Sequence, residues 1–197
     1  WSNPSFDKTD VSAMTNTGKY SFFINNCCLS SRYNVSECFG EKLLRADNKG
    51  AIGVIGGSNY TYWDEDFYWA VGAKSRSLNP SYNSNKLGCY DRFFHTHGEE
   101  FGEQYVSAGE IVIAGNLAVE TSGSDLSEYY WEIYNLLGDP SLIPHVGVGE
   151  EFEVELPELL SLGESELSLE NLPAYTYVGL SLEGELLGAA QANSEGA

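Results

Sequence analysis

Two short apolar runs, residues 20–24 (YSFFI) and 51–57 (AIGVIGG), flank one stretch of helical periodicity, and this arrangement leaves few folds open. The stretch between them puts Phe39, Leu43, Leu44 and Ala46 on one face, with Ser36 as the expected cap and Asn48-Lys49-Gly50 as the stop. Runs this short and this apolar suit strands covered on both faces, as in a parallel sheet. Strand, helix and strand in that order make a βαβ unit, so the class is α/β. The first run ends abruptly at Asn25-Asn26-Cys27-Cys28. Open α/β sheets carry their sites at the carboxyl ends of their strands, which makes Cys28 a candidate nucleophile. Such a thiol needs a base and an oxyanion site nearby; without them the pair is two ordinary, semi-buried cysteines.

Elsewhere the pattern predicts a surface loop over residues 1–20, with a helical turn after an Asp10 cap. Aromatic and acidic side chains cluster over 59–69, and 75–92 reads as loop. A helix is expected within 117–137, with Tyr130, Ile133, Tyr134 and Leu137 on one face and Gly138-Asp139-Pro140 as its stop. After Pro144 the texture changes to strand-like pieces at 152–156, 166–169, 175–182 and 185–190. Glu183-Gly184 is the expected hairpin turn between the last two. The spacing is that of an all-β sandwich, though too short for a complete one.

Charge excludes several roles. All 10 Lys and Arg and 9 of the 29 Asp and Glu fall in residues 1–92; the remaining 20 acids lie beyond, with no basic residue among them. Nucleic acid is not an expected partner, because nothing in that half would neutralise phosphates. Solubility or calcium held by clustered carboxylates accounts for such a surface. No apolar run is long enough for a membrane span. The chain opens on Trp1 with no leader of its own, as mature secreted proteins and internal segments both do. Cys27, Cys28, Cys38 and Cys89 fit no zinc spacing, and one disulfide involving Cys38 is compatible with their number. His95 and His97 lack a third ligand at helical spacing, and His145 follows Pro144 at the change of texture.

Four segments together carry a family resemblance. They are Asn25-Asn26-Cys27-Cys28-Leu29-Ser30-Ser31-Arg32-Tyr33 with Cys38-Phe39-Gly40-Glu41; Gly56-Gly57-Ser58 with Thr61-Tyr62-Trp63-Asp64-Glu65-Asp66; Ala114-Gly115-Asn116-Leu117-Ala118-Val119; and Tyr134-Asn135-Leu136-Leu137-Gly138-Asp139-Pro140-Ser141-Leu142. Across residues 1–145 they resemble the gingipain family of cysteine peptidases. The resemblance implies a caspase-like parallel-sheet peptidase subdomain over 1–145, followed over 146–197 by part of an immunoglobulin-like β-sandwich. With the family's aromatic aligned on Tyr33, Cys28 is the nucleophile, forming a thioester with protein or peptide substrates.

Tyr33 and Trp63 are then expected to contact substrate, Trp63 flanking the pocket for the residue before the scissile bond. Asp64, Glu65 and Asp66 would attract a basic side chain or a structural Ca²⁺; no other cofactor is required. The family's histidine base sits in a His-Gly pair shortly before a Trp, which Trp1 matches, so the base is expected upstream of residue 1 and this stretch alone is expected to be nearly inactive. The resemblance further implies export to the medium or the bacterial surface, with secretion-system or cell-surface components as partners. Two other readings fit the same residues: an inactive surface adhesin or secretion-associated binding protein that keeps the fold, and a calcium-loaded structural module.

Overall fold

A computed structural model describes residues 4–100, 104–147, 151–154, 156, 163 and 166–197; Trp1 and Glu155, used in the sequence reading, lie outside them. The chain divides into two compact units, residues 1–146 and 147–197.

In the first unit the two apolar runs form β1 (Ser21–Asn25) and β2 (Ala51–Gly57), which pair in parallel, with Ile24 opposite Ile55 and Asn25 opposite Gly56. The crossover is α2 (Phe39–Leu44). Its cap is Cys38 rather than Ser36: Cys38 has the extended backbone that a cap needs, and its Sγ accepts the Glu41 N–H at 3.4 Å. Glu41 returns the bond to the Cys38 N–H at 2.8 Å, completing a capping box with sulfur in place of the usual hydroxyl. Ahead of β1, α1 (Lys8–Ala13) is capped by Asp7, with Asp10 as the reciprocal acid instead of the cap.

The expected helix through 117–137 is three elements. α5 (Ala108–Ser122) starts on a Ser107–Glu110 capping box and stops at Gly123, in the left-handed region. α6 (Ser127–Ile133) follows, and at Tyr134 the chain becomes extended as β3 (Tyr134–Gly138). β3 runs antiparallel to β2, with Val54 opposite Leu137 and Gly57 opposite Tyr134, so the sheet β1-β2-β3 is mixed rather than parallel. A run such as YNLLG satisfies either period when its far face is covered, which is why periodicity misassigned it. α3 (Trp63–Val71) takes up most of the aromatic and acidic cluster, and α4 (Cys89–Phe94) begins where loop was expected. The three acids of α3 lie in its first turn, where carboxylates favour the positive end of the helix dipole.

Helices cover both faces of the sheet. Val54 joins Val11 and Leu43 in a small core beneath α1 and α2. Its neighbour Ile55 points the other way into the main core, built from Trp69, Ala70, Cys89, Phe93, Ile111, Ala114, Val119, Tyr130, Ile133 and Tyr134. The Trp69 ring stacks on Tyr134 at 4.7 Å between centroids, and Tyr134 on Tyr130 at 5.4 Å. The Trp69 Nε1–H is satisfied by buried Asn116 Oδ1 at 3.0 Å. The cysteines are all unpaired, Cys38 and Cys89 being buried, so no disulfide staples the unit.

In the second unit β4 (Tyr177–Leu182) and β5 (Glu185–Gln191) form an antiparallel ribbon. Its turn is Glu183-Gly184, both at positive φ, as a two-residue hairpin requires. The pieces at 152–156 and 166–169 form no strand among their described residues. What is described there is a ribbon, not a two-sheet sandwich.

Gly115 shows how tightly α5 meets the aromatic stack, because a Cβ there would overlap the Trp69 indole. Gly115→Ala should therefore cost at least about 2 kcal/mol, read as a lower urea midpoint at unchanged slope. A change below about 0.5 kcal/mol, the scale of an ordinary surface substitution, would mean that α5 is free to move off Trp69.

Candidate active site

β1 ends at Asn25, and the chain then turns sharply through Cys27, Cys28 and Leu29. Leu29 has φ of 58°, a left-handed conformation that costs a non-glycine residue about 1 kcal/mol. Three backbone bonds hold the turn in place. Leu29 N–H donates to Asn59 O at 3.1 Å, Ser31 N–H to Gly57 O at 3.0 Å, and Gly40 N–H to Ser30 O at 2.8 Å. The Gly-rich exit of β2 makes this approach feasible. A Cβ on Gly56 would crowd the Ser30 and Ser31 hydroxyls, and one on Gly57 would meet Thr61 Cγ2 at 2.9 Å and Cys27 O at 3.0 Å. The elbow presents Cys28 to solvent while Cys27 is half-buried. Burial pushes the Cys27 thiol upward, and buried Cys89 still further, so neither is placed to act as a thiolate.

Among the described residues, Cys28 Sγ hydrogen-bonds with Thr61 alone. It accepts the Thr61 N–H at 3.3 Å, lies 3.4 Å from the Thr61 hydroxyl, and can donate to Thr61 O at 3.6 Å. The Thr61 hydroxyl in turn reaches Asp66 Oδ2 at 2.6 Å. Asp66 Oδ1 receives the Tyr134 hydroxyl at 2.8 Å and the Tyr130 hydroxyl at 3.0 Å. Asn26 closes the ring by donating to the Asp66 carbonyl at 2.9 Å while its own Oδ1 accepts from Tyr134. Burial pushes the Asp66 carboxyl above its ordinary 3.8, and Glu65 adds to the rise against the Thr61, Tyr134 and Tyr130 hydroxyls. Among the described residues no cation pairs with it.

The three acids of α3 thus part company. Asp64 pairs with Arg76, Glu65 accepts from Ser124 Oγ at 2.7 Å, and Asp66 faces the cysteine elbow. Among the described residues no group of three or more His, Cys, Asp or Glu side chains is disposed to hold a metal ion. Trp63 opens α3 with 84% of its surface exposed, and Tyr33 is 55% exposed beyond the elbow. His95 sets Nε2 against Tyr105 O at 3.3 Å, and His97 stacks on Tyr82 at 3.6 Å and pairs with Glu99. Exposed His145 likewise makes no contact with Cys28. The residues that sequence reasoning missed are Thr61, Asn26, Tyr130 and Tyr134. Thr61, Asn26 and Tyr134 sat inside quoted motifs and Tyr130 only on a helical face, and no periodic signal marks a tyrosine hydroxyl as a carboxylate partner.

Cys28 also borders an open pocket of about 540 Å³ whose walls mix Phe6, Val35 and Phe39 with Lys8, Arg32 and Glu37, and which includes neither Thr61 nor Asp66. An exposed thiol at a strand-end elbow, beside an open pocket, is accessible to an electrophile.

Comparison with known proteins identifies the family. Residues 1–145 match peptidase family C25, and the chain belongs to that family of gingipain-type cysteine peptidases. It is 35% identical over 204 aligned residues to Lys-gingipain of Porphyromonas gingivalis, with all of this chain and 11% of that protein covered. A solved structure described as that of a protease superposes with a TM-score of 0.76 at 32% identity, covering 100% of this chain and 44% of the other. The Arg-specific cysteine proteinase gingipain R shares the fold, with a TM-score of 0.68 at 21% identity over 99% of this chain and 42% of its own. This chain therefore spans about a tenth of the curated relatives it matches.

The raised Asp66 carboxyl has a consequence for stability. A carboxyl whose folded pKa exceeds its unfolded one keeps its proton longer in the fold, so its contribution to stability falls as pH rises from about 4. Asp7, Glu41 and Asp139 shift the other way, through hydrogen bonds that favour their charged forms, so the parent's net slope mixes both signs. The difference between variants isolates Asp66. Asp66→Asn should gain urea midpoint relative to the parent between pH 4 and pH 7; parallel pH profiles would refute the assignment.

Proposed function

We propose that this chain supplies the nucleophile and the specificity pocket of a secreted cysteine endopeptidase that cleaves after a basic residue. One observation carries the reading: the exposed Cys28 thiol stands a single hydroxyl away from a half-buried carboxylate that has no cationic partner among the described residues. A lysine or arginine side chain entering beside Asp66 would bring the carbonyl that follows it to Cys28 Sγ. The names of the relatives, one a Lys-gingipain and one an Arg-specific proteinase, support a basic preference.

In the reaction, Sγ attacks the carbonyl carbon and the C=O electrons move to oxygen. The Cys28 N–H, with no acceptor among the described residues, is free to donate to that oxyanion. An imidazole takes the thiol proton and passes it to the leaving amine, and water then hydrolyses the thioester. His95, His97 and His145 are not at the site, so the base is assigned to the His-Gly pair that the family resemblance puts ahead of Trp1. The same resemblance supports export to the medium or the bacterial surface. Among the described residues no helix is long and apolar enough to cross a membrane.

The test is labelling of the full-length natural protein with a lysyl peptide bearing an acyloxymethyl ketone, followed by peptide mapping. Cys28 should carry the adduct, and both Cys28→Ala and substitution of the histidine ahead of Trp1 should abolish it. Slow labelling shared between Cys27 and Cys28 would show that no thiol is activated and would sink the peptidase reading.

A further inference from the structure

We infer that Thr61 is a positioning residue that couples the P1 pocket to the nucleophile: its one hydroxyl proton serves either Cys28 Sγ or Asp66 Oδ2, and a cation docked on Asp66 decides which. The inference rests on the proposed reading of Asp66 as the seat of a basic side chain. It comes from a count of hydrogens. Thr61 Oγ1 lies 3.4 Å from the sulfur and 2.6 Å from the carboxylate, yet it has only one proton to give. The Thr61 N–H also donates to Sγ, at 3.3 Å, so the residue stays docked on the thiol whichever way its hydroxyl turns.

Asp66 is short of protons as well. Its Oδ1 depends on Tyr130 and Tyr134, whose hydroxyls are each shared: Tyr130 with the Tyr62 carbonyl at 3.2 Å, and Tyr134 with Asn26 Oδ1. Burial keeps both phenols protonated, so they remain donors with one proton apiece. The other titratable groups facing this carboxyl are Glu65 on its own helix and Cys27 and Cys28 in the elbow, and none of them is a cation. A carboxylate so short of donors has room for a cation.

Two hydrogen-bond patterns follow. With the pocket empty, the Thr61 hydroxyl donates to Asp66 Oδ2, the shorter of its two contacts, and the sulfur keeps only the backbone N–H. When an ammonium or guanidinium reaches the carboxylate, it supplies Oδ2 with a donor in place of Thr61. The Thr61 hydroxyl is then released to turn to Cys28 Sγ, 3.4 Å away. A second donor stabilises the attacking thiolate, so the correct side chain speeds the chemical step as well as binding.

The experiment uses the full-length natural protein and two peptidyl acyloxymethyl ketones that differ only in lysine or norleucine before the reactive carbonyl. KI and kinact are measured separately for each. In the parent, lysine should improve both constants. Thr61→Val, and the smaller Thr61→Ala as a second variant, should keep the lysine advantage in KI but lose it in kinact, by about tenfold, the scale of one hydrogen bond to a charged group. Thr61→Ser, which restores the hydroxyl, should restore the kinact ratio. If Thr61→Val and Thr61→Ala both retain the lysine advantage in kinact, the coupling is refuted. Asp66→Asn separates the two levels of the argument. A lysine advantage in KI that survives in Asp66→Asn would overturn the pocket assignment itself, whereas its loss there, with kinact coupling intact in the Thr61 variants, overturns Thr61 alone.

Discussion

One half-buried carboxylate gathers every element of the site. Asp66 is in the first turn of α3, yet its side chain is bonded from the loop that precedes the helix, from α6 and from β3, and its backbone carbonyl from the end of β1. Asn26 stands 40 residues before Asp66, and Tyr130 and Tyr134 stand 64 and 68 after it, so the cluster ties distant stretches of chain together. The cost of desolvating the acid is offset only while all the donors are present, which makes the cluster all-or-none in character. The stacked rings of Trp69, Tyr134 and Tyr130 beneath it fix where two of those donors stand. Packing therefore sets the geometry, and the carboxylate reads it out.

The parts of this arrangement that local pattern controls were legible in the sequence. Buried strands announce themselves by apolar runs, so β1, β2 and the crossover between them could be read, and with them the elbow that exposes Cys28. The Glu183-Gly184 turn was legible for the same reason, since φ above zero is demanded by so few residue types. Family resemblance then supplied an expectation that pattern could not, namely which of two adjacent cysteines would be the nucleophile.

The remainder depended on tertiary contacts. Tyr134 reads as one more aromatic on a helical face, and only the sheet's need for a third strand turns its backbone extended. Cys38 displaces Ser36 as a cap because the chain is already extended at residue 38, whatever the usual rank of hydroxyl over thiol. The acids of α3 look alike as a run, but the helix sends them to an arginine, a serine and the cysteine elbow in turn. Residue type was visible in advance; the direction in which each side chain points was not.

The junction of α6 and β3 has no spare residue: the helix ends at Ile133 and the strand begins at Tyr134. Among the described residues β3 is also an outer strand of its sheet, held by β2 on one side only. Fraying of that edge would draw Tyr134 out of the main core and away from Asp66 and Asn26 together. The site is thus tied to the scaffold beneath it, and on warming, competence and core packing would be lost in one event.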